Sequence, residues 1–344
     1  MGEFSLQHPQ DHASASGPSA GAGDGRGLRQ RRRSSSAASA LARAAASAEH
    51  KLAGAARQLL LGWDELPAWR RDNQYIATGY RPESGSFQHS LASLFYVHNE
   101  SVNIWTHLLG ALTLPAAGAA WLAAALAPAV LVVEAASARY PSAGADDVLA
   151  FACFFAGALL CLGMNAISNH SPEVAKWGNK LDYSGIVFLI VGSYIPALYY
   201  GLFCLPDLRT VYLCAIFLLG LGCGMVSWIE RFRTPLWRPY RAAMFVGLGV
   251  SGVVPICHAL CIYGYRALDE RMGLSWVLLQ GFLYIFGAFL YAVRWPERSF
   301  PRTFDIWGSS HQLFHILILL AAVSHFNGMV KAFDYHHSVL GGQC

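Results

Sequence analysis

The sequence predicts an all-α integral membrane protein, a seven-transmembrane helix bundle with its N-terminus cytoplasmic and its C-terminus outside. Three observations lead there. Of 344 residues, 54% are hydrophobic and only 13% charged, about half the charged share of a soluble domain. Beyond residue 100, seven windows contain no Asp, Glu, Lys or Arg: 101–133, 148–172, 183–206, 210–229, 242–265, 272–293 and 306–330. The shortest holds 20 residues, and about 20 apolar residues carry a helix across a bilayer core. Within lipid the backbone must satisfy its own hydrogen bonds, so these windows are helices. The third observation is the distribution of Lys and Arg. With the N-terminus inside, the inner loops carry nine, from Lys176 to Arg302, and the outer ones five. The first hundred residues add eleven more to the inside, as the positive-inside rule requires.

The elements follow in order. Residues 1–61 are expected to form a disordered basic and Ala-rich cytoplasmic tail, with "RQRRRSSS" as a solvated basic run. "MGEFSLQHPQDHASASG" lacks an apolar core, so the first span is expected to act as the insertion signal. Residues 62–100 are dense in aromatics, prolines and charges and are expected to pack as a juxtamembrane segment under the membrane domain. Residues 101–333 hold the seven spans, and 334–344 a short extracytoplasmic tail. Pro115, Pro196 and Pro255 should kink or loosen their helices. Gly220, Gly222 and Gly224 should give span 4 close helix contact. Seven of the eight cysteines lie in charge-free windows without CxxC spacing, which predicts small apolar thiols and no disulfide framework. Nothing in the charge balance calls for nucleic acid; membrane lipid is the expected partner.

"GSSHQLFHILILLAAVSHF" puts His311 and His315 one helical turn apart on one face. Span 7 runs outward, so both lie near its cytoplasmic end. Asn165, late in span 2, and Asp182, opening span 3, reach the same level. Two imidazoles at i and i+4 with a carboxylate nearby suit zinc, whose bound water ionises near pH 7. Spacing alone leaves a second explanation open. The histidines could bond backbone carbonyls inside the bundle, and Asp182 could be the N-cap of span 3. His107 and His258 read as isolated bundle hydrogen bonds. His325 stands about 15 Å beyond His315, and His336 and His337 belong to the outer tail.

"LPAWRRDNQYIATGYRP", "HNESVNIWTHLLG", "SNHSPEVAKWGNKLDYSGI", "GSYIPALYY" and "FDIWGSSHQLFH" resemble, in order, the signature segments of the progestin-and-adipoQ-receptor family, also called the haemolysin III family. The similarity runs from Trp63 to Phe326 and is strongest to adiponectin-receptor-like and fungal members. It implies a zinc site near the cytoplasmic face and ceramidase-like hydrolysis of an amide to sphingoid base and fatty acid. His311 and His315 match two of the family's zinc ligands. Asp182 matches its proton-handling aspartate. At the third-ligand position this chain has Asn165, a poorer zinc ligand than histidine, followed by Ala166 in place of threonine. Cys161 stands where the family usually has serine, at a position the resemblance places in the catalytic site. Two functions are therefore expected in parallel: a zinc hydrolase acting on a ceramide-like lipid, and a non-catalytic lipid-binding receptor or regulator with a weakened zinc site. Ceramide or fatty acid in the bundle and a cytoplasmic signalling partner are the expected partners. A transporter is disfavoured, because the ionisable residues gather at one face.

Overall fold

A computed structural model describes Arg43 and residues 60–126, 140–163, 171–234 and 237–344. The expected basic tail and Asn165, Ala166 and His170 lie outside the described residues.

Seven helices among the described residues are long and apolar enough to cross a membrane, as expected, and there is no β-strand among them. Span 1 is Ser101–Leu126, span 2 Ala145–Leu162, span 3 Pro172–Gly201, span 4 Pro206–Trp228, span 5 Pro239–Met272, span 6 Leu274–Val293 and span 7 Ser310–Val339. The chain is an integral multi-pass membrane protein.

Helix ends depart from the charge-free windows where capping residues decide them. Ser171 caps span 3, its hydroxyl accepting from the Val174 amide at 3.3 Å, with Pro172 in the first turn. Span 3 therefore starts before Lys176 and Lys180, and Asp182 lies about ten residues inside it. Asp182 is thus not the cap of span 3. Span 2 likewise begins early, because Asp147 accepts from the Gly144 amide at 2.9 Å and favours the positive end of the helix dipole.

Of the three prolines, only Pro255 stands beside a break. Span 5 divides into Arg238–Val250 and Val253–Met272, while Pro115 and Pro196 sit in continuous helices. The break frees carbonyls that the Tyr194 hydroxyl meets, 2.5 Å from Gly249 O and 3.2 Å from Leu248 O.

The two ends of the bundle are closed differently. At the end where spans 1 and 7 begin, Ala77 and Thr78 donate their amides to Asp305 at 3.0 Å each. Arg294 pairs with Asp72 at 2.6 Å. Through Asp72, Ala77 and Thr78 the 62–100 segment is thus tied to the loop between spans 6 and 7. Leu61 and Tyr80 exchange a single antiparallel bridge across it. At the other end, the C-terminal residues are no free tail. Span 7 continues through Tyr335–Val339, burying His336 and His337. His337 Nε2 donates to Asp147 at 3.0 Å, and His337 Nδ1 lies 2.8 Å from the Ser142 hydroxyl. Cys344 is bonded to Cys204, with a Cα separation of 5.4 Å. The expectation of no disulfide missed this bridge, because only folding brings the two loop cysteines together.

Candidate functional site

The site starts from how span 7 begins. Glu297 is fully buried, and its carboxylate accepts from the Ser310 amide at 2.7 Å, from the Ser310 hydroxyl, and from Asn73 Nδ2 at 3.0 Å. Two residues on, Gln312 Nε2 donates to Asn99 O at 2.9 Å and Ile306 O at 2.7 Å. These bonds fix the first turn of span 7 against the start of span 1, and with it the heading of His311 and His315.

The two imidazoles face each other, Nε2 to Nε2, at 3.1 Å. His315 Nδ1 donates to the Asn103 carbonyl at 3.2 Å, which leaves a lone pair on His315 Nε2. Asn103 Nδ2 lies 3.0 Å from His311 Nδ1 and 2.6 Å from Glu100 Oε2. His311 Nδ1 is also 3.7 Å from Glu100 Oε2. In this arrangement His311 donates from Nε2 to His315. A metal held by both Nε2 atoms needs the other His311 tautomer, with its Nδ1 proton toward Glu100. A carboxylate behind a ligating histidine is the usual orienting device. Burial alone would raise the Glu100 carboxyl, but with a proton on His311 Nδ1 that ring, the Asn103 amide and the Arg81 charge hold it down at about 2. It is an anion facing His311.

Asp182 and Cys161 line the same cavity wall as His311 and His315. The reason is a close backbone approach. A Cβ at Gly185, one turn after Asp182, would stand 2.7 Å from the Cys161 Cα, so spans 2 and 3 touch there. The cavity encloses about 810 Å³ and extends from this quartet, along Ile190 and Val277, to Gln280 and His325.

Zinc bonds two imidazole nitrogens at roughly 2.0–2.1 Å each, so a tetrahedral ion spans a nitrogen pair only slightly wider than this one. The donor set stops at two, however. Among the described residues, no group of three His, Cys, Asp or Glu side chains is placed to hold a metal. The described side chains do not complete a zinc site.

Three participants escaped the sequence reading. Glu100 and Asn103 sit in the quoted "HNESVNIWTHLLG", where an acid and an amide at the head of an apolar run were the available signal. His107 is no isolated bundle residue: its ring stacks on that of His315, with centroids 3.8 Å apart and planes inclined by 23°.

Beside the site, His98 is buried, and its Nδ1 accepts the Glu100 amide at 3.1 Å. Burial and the Arg81 charge push His98 down to about 3 from an ordinary 6.5. A histidine kept neutral in the fold is protonated more readily in the unfolded chain. Its stabilising contribution is complete above pH 6.5 and erodes as the pH falls from there toward 3. The melting temperature is expected to drop across that window, and His98→Asn to flatten the slope. Equal slopes in both proteins would contradict the assignment.

Residues 95–326 match the family model described as haemolysin-III related. The chain is 40% identical over 301 residues to the ADIPOR-like receptor IZH2 of Saccharomyces cerevisiae, covering 84% of this chain and 89% of that protein. To the adiponectin receptor protein of Drosophila melanogaster it is 39% identical over 286 residues, covering 82% of this chain and 61% of the fly protein. Heptahelical transmembrane protein 1 of Arabidopsis thaliana is 32% identical over 291 residues, covering 82% of this chain and 84% of its own. With seven spans, the signature segments in order and these relatives, the chain belongs to the haemolysin-III-related family, among its adiponectin-receptor-like members.

Proposed function

We propose that this protein is a lipid-binding, receptor-like regulator of sphingolipid and zinc homeostasis. Its bundle takes the hydrocarbon chain of a ceramide or fatty acid, with the polar head beside His311, His315 and Asp182. The observation that carries this reading is the cavity, about 810 Å³, running from those three residues into an apolar interior. Each buried methylene contributes roughly 0.8 kcal/mol, so a long chain in that space binds well without any metal. Zinc, where it binds, is held by His311 and His315 and held weakly, with Asn165 at the family's third position. The polar end faces the cytosol. The Lys and Arg count supports that orientation, and so does the Cys204–Cys344 bond at the opposite end, since such a bond persists in an oxidising compartment. A signalling partner would meet the juxtamembrane segment, where Phe87 and Phe95 are exposed.

A second reading, ceramidase-like amide hydrolysis, is favoured by Asp182 sharing the cavity with the histidine pair. Bound zinc would supply Lewis acidity and a low-pKa water. Asp182 would accept a proton in that reading, with Cys161 beside it in the cavity wall. One experiment separates the readings: zinc per chain after mild chelation, with short-chain ceramide turnover by the same preparation. The lead reading expects zinc to be lost with the fold intact and no turnover above a lipid blank. About one retained zinc, with turnover abolished by Asp182→Asn, would overturn it in favour of the hydrolase.

A further inference from the structure

Deeper in the same cavity lies a second polar cluster, on three other stretches of helix. His325 of span 7 is buried, at 2% exposure, and its Nδ1 lies 2.8 Å from Gln280 Oε1 of span 6. With Gln280 Oε1 as the acceptor of that pair, the imidazole donates from Nδ1 and Nε2 carries the lone pair. The Phe154 ring packs against the imidazole with centroids 4.7 Å apart, fixing its plane. Tyr284 follows Gln280 by four residues and so lies on the same helix face. His325, Gln280, Tyr284 and Ser193 all line the cavity. Two of their polar atoms, His325 Nε2 and Tyr284 Oη, are buried and make no well-formed hydrogen bond among the described residues, their polar neighbours being the Ser193 backbone and the Gln280 side chain.

Buried polar groups are normally met, and each one left unmet costs stability. Here an imidazole and a hydroxyl, without a well-formed bond to Ser193 or Gln280 beside them, face a largely apolar space, and a hydrocarbon chain alone would leave both so. The complementary ligand group is one that both donates and accepts, a hydroxyl. Its depth is set by span 7. His325 follows His315 by ten residues, about 15 Å along the helix.

The geometry points to a second, specificity-determining subsite at His325, Tyr284 and Gln280, which selects amphiphiles bearing a hydroxyl part-way along the hydrocarbon, roughly 15 Å from the polar head. This inference rests on the proposed lipid-binding reading and names which lipids the cavity prefers.

The test is competition by free fatty acids against a fluorescent fatty acid bound to the full chain in nanodiscs. Stearic, 3-hydroxystearic and 12-hydroxystearic acids are compared, so that the ligand changes and the fold does not. The 12-hydroxy acid is expected to bind roughly tenfold tighter than stearic acid, the scale of satisfying a buried polar group. The 3-hydroxy acid should gain nothing, because its hydroxyl stays near the head. Tyr284→Phe should remove most of the 12-hydroxy advantage, read as the ratio of 12-hydroxystearic to stearic acid affinity within the same variant. Equal affinities for the 12-hydroxy and unsubstituted acids, or an advantage that survives both Tyr284→Phe and His325→Gln, would overturn the subsite alone and assign the two atoms to buried water. Failure of every acid to displace the probe would overturn the lipid-binding reading as well.

Discussion

Glu297→Ala is expected to destabilise the protein by about 3 kcal/mol or more and to weaken whatever the cavity holds. The carboxylate is fully buried and accepts from three donors, two of them on Ser310, the residue before His311. Hydrogen bonds to a charged group contribute roughly 1.5–3 kcal/mol each, and a donor left unmet in the interior adds its own penalty. The truncation frees the first turn of span 7 from the juxtamembrane segment, so His311 loses its fixed heading as well as its support. Glu297→Gln keeps the shape and part of the bonding and should fall between. Thermal unfolding in detergent, read beside ligand affinity, checks both parts. A melting temperature within a degree or two of wild type would contradict this role.

The second large effect is expected at the seam between spans 2 and 3. A Cβ at Gly192 would stand 2.6 Å from Cys153 O, and one at Gly157 would stand 2.5 Å from Phe188 O. With Gly185 against Cys161, the two backbones meet at three levels, where only glycine fits. Overpacking a fitted interface costs typically 1–3 kcal/mol, and more where the obstacle is backbone. Gly185→Leu should therefore separate Asp182 from Cys161 and abolish lipid binding. Gly222→Leu, where a Cβ meets nothing within 4 Å, is the matched control and should be neutral. Comparable losses in both variants would refute the seam.

The same seam separates what the sequence could reveal from what it could not. Apolar length and charge distribution revealed seven spans, because crossing a bilayer imposes a length on each helix. Spacing revealed that His311 and His315 share a face, because a helix imposes a period. Neither constraint says which glycine meets a neighbouring backbone. Gly220, Gly222 and Gly224 look equivalent in span 4, yet only Gly220 is tight, against Val191 at 2.6 Å. The contacts at Gly157, Gly185 and Gly192 depend on how the helices cross. Asp182 was expected to open span 3, because a charge bordering an apolar run resembles a cap. The Ser171–Pro172 pair upstream was the stronger signal. Glu100, Asn103 and His107 join the site through tertiary packing of span 1 on span 7, which no periodicity within span 1 encodes. The same is true of His336 and His337, whose partners Asp147 and Tyr200 lie on spans 2 and 3.

We propose above that the bundle interior holds a lipid chain with its head at the histidine pair. The most direct measurement is photolabelling by a fatty acid carrying a diazirine near its methyl end, with the labelled residues mapped by mass spectrometry. Labels are expected on cavity-lining residues such as Ile190, Ala197 and Val277, abolished by excess unlabelled fatty acid. Labels confined to the exposed face of span 4, at Phe217 and Leu218, and indifferent to competitor, would contradict it.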